Sequence, residues 1–194
     1  MQRNSKNKLV PLRCPWVDVN NSLYVEYHDK EWGRPVKKDD RLLFEMLILE
    51  GAQAGLSWVT VLKKRKNYKK AFDDFDPKKV ARYTSAKIEK LLLNEGLIRN
   101  RLKMNAAVIN AKAYLEIQKE FGSFSKYLWG FTQGKVIKKR PRNLKDFNAR
   151  DELSDRISKD LKTRGFKFVG STIIYAYLQA VGVIDEHAKG CYRS

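Results

Sequence analysis

The chain holds two cysteines and two histidines, and they fall as one Cys–His pair near each end: Cys14 with His28, and His187 with Cys191. Zinc prefers four tetrahedral nitrogen and sulfur ligands, and four protein ligands leave no position open for substrate, so such a site is structural. The spacing His187-x-x-x-Cys191 suits two ligands one helical turn apart. The gap from Cys14 to His28 is wider than in common zinc fingers, so spacing alone also admits four unrelated residues. A Cys14–Cys191 disulfide is the weaker alternative, because a cytosolic chain keeps its thiols reduced. Closing a loop of roughly 160 residues costs on the order of 4–5 kcal/mol, against about 10–16 kcal/mol for structural zinc in finger peptides. One structural Zn2+ could therefore tie the two terminal segments together.

A second candidate is a misplaced acid. Arg41 to Glu50 is apolar nearly all round, as in a buried helix, and Glu50 follows Met46 and Leu47 on an apolar face. A carboxylate there must be hydrogen-bonded, paired with a charge, or shifted in pKa, and such acids mark functional sites. The plainer alternative is a cap, or a partner for an arginine near the helix end. Behind it comes Gly51-Ala52-Gln53-Ala54-Gly55-Leu56-Ser57-Trp58, a glycine-flanked leucine followed by a tryptophan. Aromatic faces stack on extruded bases and apolar wedges fill the gap left in a duplex. Trp16, Tyr27 and Trp32, close to the first Cys–His pair, add further rings, although core packing accounts for most aromatics of such a chain.

The third feature is Leu161-Lys162-Thr163-Arg164-Gly165-Phe166-Lys167-Phe168-Val169-Gly170-Ser171, which reads as a helix, a tight turn and a helix start. Free N–H groups at such a start, flanked by basic residues, suit a phosphate and carry no sequence information. Glycine-containing turns between helices are common, so the motif is weak by itself.

The elements that must position these groups are helical. Asp39 or Asp40 can cap Arg41–Glu50, with Gly51 closing it; Ala52–Lys64, Asn67–Phe72, Ser85–Asn94, Arg101–Phe121, Glu152–Thr163 and Ser171 to about Val181 follow. Cys14 to Gly33 reads as turns, and Gln133–Arg150 as a basic loop broken by Gly134 and Pro141. No alternating strands, repeats or low-complexity tracts stand out, so the fold class is all-α. A basic, flexible arm over residues 1–12 would precede a single domain over 13–194, possible as two closely packed helical lobes. With 43% apolar residues the chain can build a core. It lacks an apolar run long enough for a membrane span and shows no secretory signal, so a cytoplasmic monomer without membrane contact is expected. Forty basic against 22 acidic residues, a formal net charge of +18, point to nucleic acid.

Three blocks carry a resemblance: Tyr27-His28-Asp29-Lys30-Glu31-Trp32-Gly33, Leu49 to Trp58, and Arg164 to Gly170. With them, roughly Cys14 to Cys191 resembles the DNA-3-methyladenine glycosylase I family of the helix-hairpin-helix glycosylase superfamily. The resemblance implies monofunctional excision of 3-methyladenine from double-stranded alkylated DNA, with Glu50 as the catalytic and base-binding acid. It implies a base pocket built with Tyr27 and Trp58, to which Trp32 and Trp16 are candidate additions. It also implies DNA contact at Leu56 and Gly55, with Lys167, Gly170 and Ser171 of the hairpin as further candidates, and a structural zinc on Cys14, His28, His187 and Cys191. The alternative is a zinc-stapled nucleic-acid-binding module without catalysis. Two departures stand out: Phe168 falls where the superfamily hairpin usually has its first glycine, and the Gln133–Arg150 loop lies outside the recognisable pattern. Asp185 follows the hairpin helix as a superfamily catalytic aspartate would, but so near His187 that a structural part is expected of it.

Overall fold

The computed structural model describes Gln2–Arg3 and residues 9–194, with side chains from residue 11 onward. The arm expected over residues 1–12 lies partly outside the described residues; Gln2 and Arg3 pair antiparallel with Val10 and Leu9. Nine α-helices are found among the described residues: α1 Ser22–Lys30, α2 Asp40–Gln53, α3 Trp58–Ala71, α4 Pro77–Val80, α5 Ser85–Leu93, α6 Arg101–Phe121, α7 Phe124–Gly130, α8 Glu152–Thr163 and α9 Ser171–Ala180. The only other strand pairing described sets Ile137–Lys138 parallel to Ile184–Asp185. The fold is all-α.

Helix α2 is central, packed against α3, α6, α7 and α9, and every residue from Leu43 to Ala52 is buried. Asp39 caps it by accepting from the Leu42 amide. The expected stop at Gly51 does not occur. A Cβ there would lie 3.3 Å from the Phe168 Cβ, so this glycine lets the α8–α9 turn approach a helix that runs on to Gln53. The expected break after Lys64 is absent as well: α3 is continuous, because the basic run holds no breaker and Val61, Leu62 and Tyr68 keep one face buried.

Three helices escape the sequence reading: α1, the single turn α4 and α7. In α1, Asn21 is an N-cap that accepts from the Tyr24 amide, so a residue read as a turn former starts a helix. Helix α7 is short; Ser123 caps it by accepting from the Lys126 amide, and over long range the Asp40 carboxylate accepts from the Phe124 and Ser125 amides at 2.8 and 2.9 Å. The two ends of the chain meet over α9. Gly33 and Val36 amides donate to Gln179 and Val181 carbonyls, and the Tyr192 amide donates to the Leu12 carbonyl.

Candidate active site

A cavity of about 310 Å³ opens where α1, the ends of α2 and α9, the start of α3 and the 133–150 loop converge. Trp16, Tyr24, Tyr27 and Trp32 come from the N-terminal segment, Glu50 and Gln53 from α2, Trp58 from α3, and Ala176 and Gln179 from α9. Leu144, Phe147 and Asn148 come from the loop. All five residues expected at the base, Glu50, Tyr27, Trp58, Trp32 and Trp16, thus line one cavity. Trp16 stands edge-on to Trp32, with ring centroids 4.9 Å apart.

Tyr27 and Trp58 are tilted against each other at 5.4 Å. A base held between two faces needs two van der Waals gaps, roughly 7 Å. The pair therefore forms one wall of the cavity, where the opposed faces of a sandwich would be expected.

Glu50 is 3% exposed, and burial alone pushes its carboxyl up to about 8. Among the described residues neither an arginine nor a helix-end group pairs with it, which argues against the plainer reading of this acid. Burial, and after it the charge of Glu50, raises the hydroxyls of Tyr24 and Tyr27. The indole N–H groups of Trp16 and Trp58 are buried without a hydrogen-bond partner. The cavity thus combines apolar walls with an unpaired acid.

Beside it, ligand atoms of Cys14, His28 and Cys191 all lie within 4.8 Å of one another. His187 adjoins this trio, its ring centroid 5.2 Å from that of His28, and its Nε2 is buried without a partner. The outer nitrogens are held: Nδ1 of His28 by Asp29 at 2.8 Å and Nδ1 of His187 by Asp185 at 2.6 Å. Carboxylates behind the imidazoles leave Nε2 as the ligating atom, the arrangement that orients metal-bound histidines. The residues therefore fit a metal, with the orphaned His187 Nε2 as the test. Burial first of all pushes the Cys14 thiol up to about 12, and a nearby cation would favour the thiolate. Both cysteines are free, so the disulfide alternative is not formed. The His187–Cys191 segment is irregular and not the expected helical turn; Ala188 instead donates its amide to Cys14 Sγ at 3.3 Å. Gly33 has φ +73°, and a Cβ there would come within 2.7 Å of His187 Cε1, so only glycine leaves room for this imidazole. Asp185 also accepts from Arg140 at 2.7 Å and is held low despite burial by His187 and Arg140.

The residues expected at DNA sit on two neighbouring turns. Leu56 is 41% exposed on the α2–α3 turn, where Gly55 takes φ +78°. Lys103 holds the end of α2, donating to the Ala52 and Ala54 carbonyls at 2.8 and 2.7 Å. Between α8 and α9, Lys167 is exposed and Gly170 starts α9 without a side-chain cap, leaving the first amides, beginning with Ser171, unclaimed by it. Phe168 takes φ +55°, the left-handed conformation that explains why glycine is usual there.

Sequence reasoning missed Tyr24, Gln53, Gln179 and the loop residues. Gln53 follows Glu50 by three, one helical turn on, and Gln179 is a polar residue in an apolar helix; both were available signals. Phe147 gave none, since the loop is placed by a pairing remote in sequence.

A family model described as methyladenine glycosylase matches residues 16–194. The chain belongs to the methyladenine glycosylase family. A DNA-3-methyladenine glycosylase of Haemophilus influenzae is 49% identical over 179 residues, covering 92% of this chain and 96% of that protein. A crystal structure of 3-methyladenine DNA glycosylase I superposes with a TM-score of 0.90 at 45% identity, over 93% of this chain and 98% of the other. The Staphylococcus aureus enzyme, whose structure concerns recognition of 3-methyladenine, gives 0.87 at 40% identity, over 90% and 93%.

Proposed function

We propose that this chain is a DNA-3-methyladenine glycosylase of base-excision repair. It hydrolyses the N-glycosidic bond of 3-methyladenine in double-stranded alkylated DNA, releases the free base and leaves an abasic site. The observation that carries the reading is Glu50, a buried, unpaired acid facing a purine-sized cavity walled by aromatic rings. The resemblance of the whole chain to enzymes named for this base supports it.

Alkylation at N3 makes the base cationic, so it leaves readily. Water attacks the sugar carbon, the carbon–nitrogen bond breaks, and its electrons neutralise the departing purine. The protein must extrude the nucleotide and hold the base. A cation in the cavity supplies the countercharge that Glu50 lacks, and the carboxylate accepts from the exocyclic amino group. The Tyr27–Trp58 wall offers cation–π attraction of about 0.5–2 kcal/mol. Leu56 would fill the space left by the flipped base, and the α8–α9 segment would act as a helix-hairpin-helix binding one phosphate through Lys167, Gly170 and Ser171.

Cys14, His28, His187 and Cys191 would hold one zinc. Four protein ligands leave it no catalytic position, so it supplies cohesion between the terminal segments. A module without catalysis would have the basic surface and the metal, but no use for an unpaired buried acid. Methylated DNA incubated with the protein should release free 3-methyladenine with the backbone intact. Wild-type protein that binds this DNA and releases no base would establish the module instead.

A further inference from the structure

A hydrogen-bond chain behind the cavity has its direction fixed at one end. Lys139 Nζ can only donate, and it gives to the Tyr175 hydroxyl at 2.9 Å and to Asp151 at 2.8 Å. The Tyr175 proton must then turn to Glu186, whose carboxylate oxygens lie at 2.9 and 3.0 Å. Glu186 is 1% exposed and accepts a further hydrogen bond from Gln179 Nε2. The two ends of a glutamine amide are interchangeable until a network distinguishes them. Here the network does so: the nitrogen is held by Glu186, and no described group donates to the oxygen.

Gln179 lines the same cavity as Glu50. We infer that Gln179 is a second base-selecting residue, its carbonyl oxygen fixed by Lys139, Tyr175 and Glu186 so as to accept a hydrogen bond from the exocyclic amino group of the purine. An amino group carries two hydrogens, one for each acceptor. A 6-oxo purine would instead bring an acceptor against two acceptors and leave them unpaired, which is how a hydrogen-bonding site rejects an analogue. This inference rests on the activity proposed above and deepens it.

The test compares binding of free 3-methyladenine with that of 3-methylpurine, which lacks the amino group, by wild-type protein, Gln179→Met and Glu186→Gln, with thermal midpoints alongside. Wild type should prefer 3-methyladenine. Gln179→Met should lose about three- to tenfold of that preference, the worth of one neutral hydrogen bond, with 3-methylpurine binding nearly unchanged. In Glu186→Gln the new amide both donates and accepts, so Gln179 is free to turn, and the preference should fall part of the way. Equal losses for both bases, or full preference kept by Gln179→Met, would overturn the assignment. Should Gln179→Met not fold, full preference in Glu186→Gln overturns it. A wild type that binds neither base and releases none from methylated DNA defeats the activity itself, a result distinct from the failure of Gln179 alone.

Discussion

Burial sets the chemistry of Glu50, and its effect on stability has a definite sign. The folded carboxyl titrates near 8, above the ordinary value of 4.5, because no partner offsets its desolvation. The fold therefore prefers the protonated acid. That stabilisation is complete below about 4.5 and is lost as pH rises through about 8. Glu50→Gln keeps the shape and removes the titration, so its thermal midpoint should gain on wild type between pH 5 and 8; a pH-independent difference would contradict the shift. The same variant should release 3-methyladenine from methylated DNA tenfold or more slowly, since a hydrogen bond to a charged group is worth about 1.5–3 kcal/mol. An unchanged rate would remove Glu50 from the mechanism. Leu56 is exposed beside Gly55, and the proposed function assigns it to the duplex and not to the base. Leu56→Ala should weaken binding to DNA containing an abasic-site mimic and leave the affinity for free 3-methyladenine nearly intact; parallel losses would place it in the pocket.

At the scale of elements, the α8–α9 turn is fastened from outside itself. Asn110 on α6 is buried, donates to the Lys167 carbonyl at 2.9 Å and accepts from the Lys167 amide at 2.8 Å. Phe168 holds its left-handed backbone next to that clamp and against Gly51. Asn110→Ala removes two part-buried hydrogen bonds and leaves the Lys167 amide and carbonyl short of partners, which predicts a loss of roughly 1–3 kcal/mol. DNA affinity should fall with it, while free-base binding changes less; chemical denaturation and titration with abasic-mimic DNA measure the two. These elements also show what a sequence reading can reach. Residues 153, 157 and 161 form a stripe at helical spacing, and α8 is found where that stripe lies. Helix α7 is too short to show a period, although Ser123 caps it locally and Asp40, 84 residues from Phe124, adds to its start; the loop wall of the cavity escaped because Ile137 pairs with Ile184. Local periodicity carries no record of such partners. The site residues were legible where a polar group interrupts an apolar helix, as at Glu50, and not where a loop delivers an ordinary phenylalanine.

For the whole molecule, the cluster lies where the two terminal segments meet, and a metal there would join them. Cys14, His28 and Cys191 converge from the two ends with His187 alongside, its Nε2 buried and without a hydrogen-bond partner among the described residues. One zinc per chain is expected by elemental analysis. Each kcal/mol lost lowers the midpoint of a chain this size by about 2–4 °C, so chelation or Cys14→Ser should lower it on the order of 10 °C. A midpoint unmoved by chelator, in protein free of zinc, would leave the four residues as packing. No helix among the described residues is long and apolar enough to cross a membrane.

A metal held by both Cys14 and Cys191 would also turn the chain into a mechanical ring. Tension applied at the two ends would then meet the metal–ligand bonds before it reached any helix. The 176 residues between Cys14 and Cys191, about 600 Å when drawn out, would stay off the load path while that clasp held. Pulled in single-molecule tweezers, the metal-loaded protein should yield only a short extension until the clasp breaks, and then the helices should unravel together. With the metal stripped, lengthening should begin at lower force.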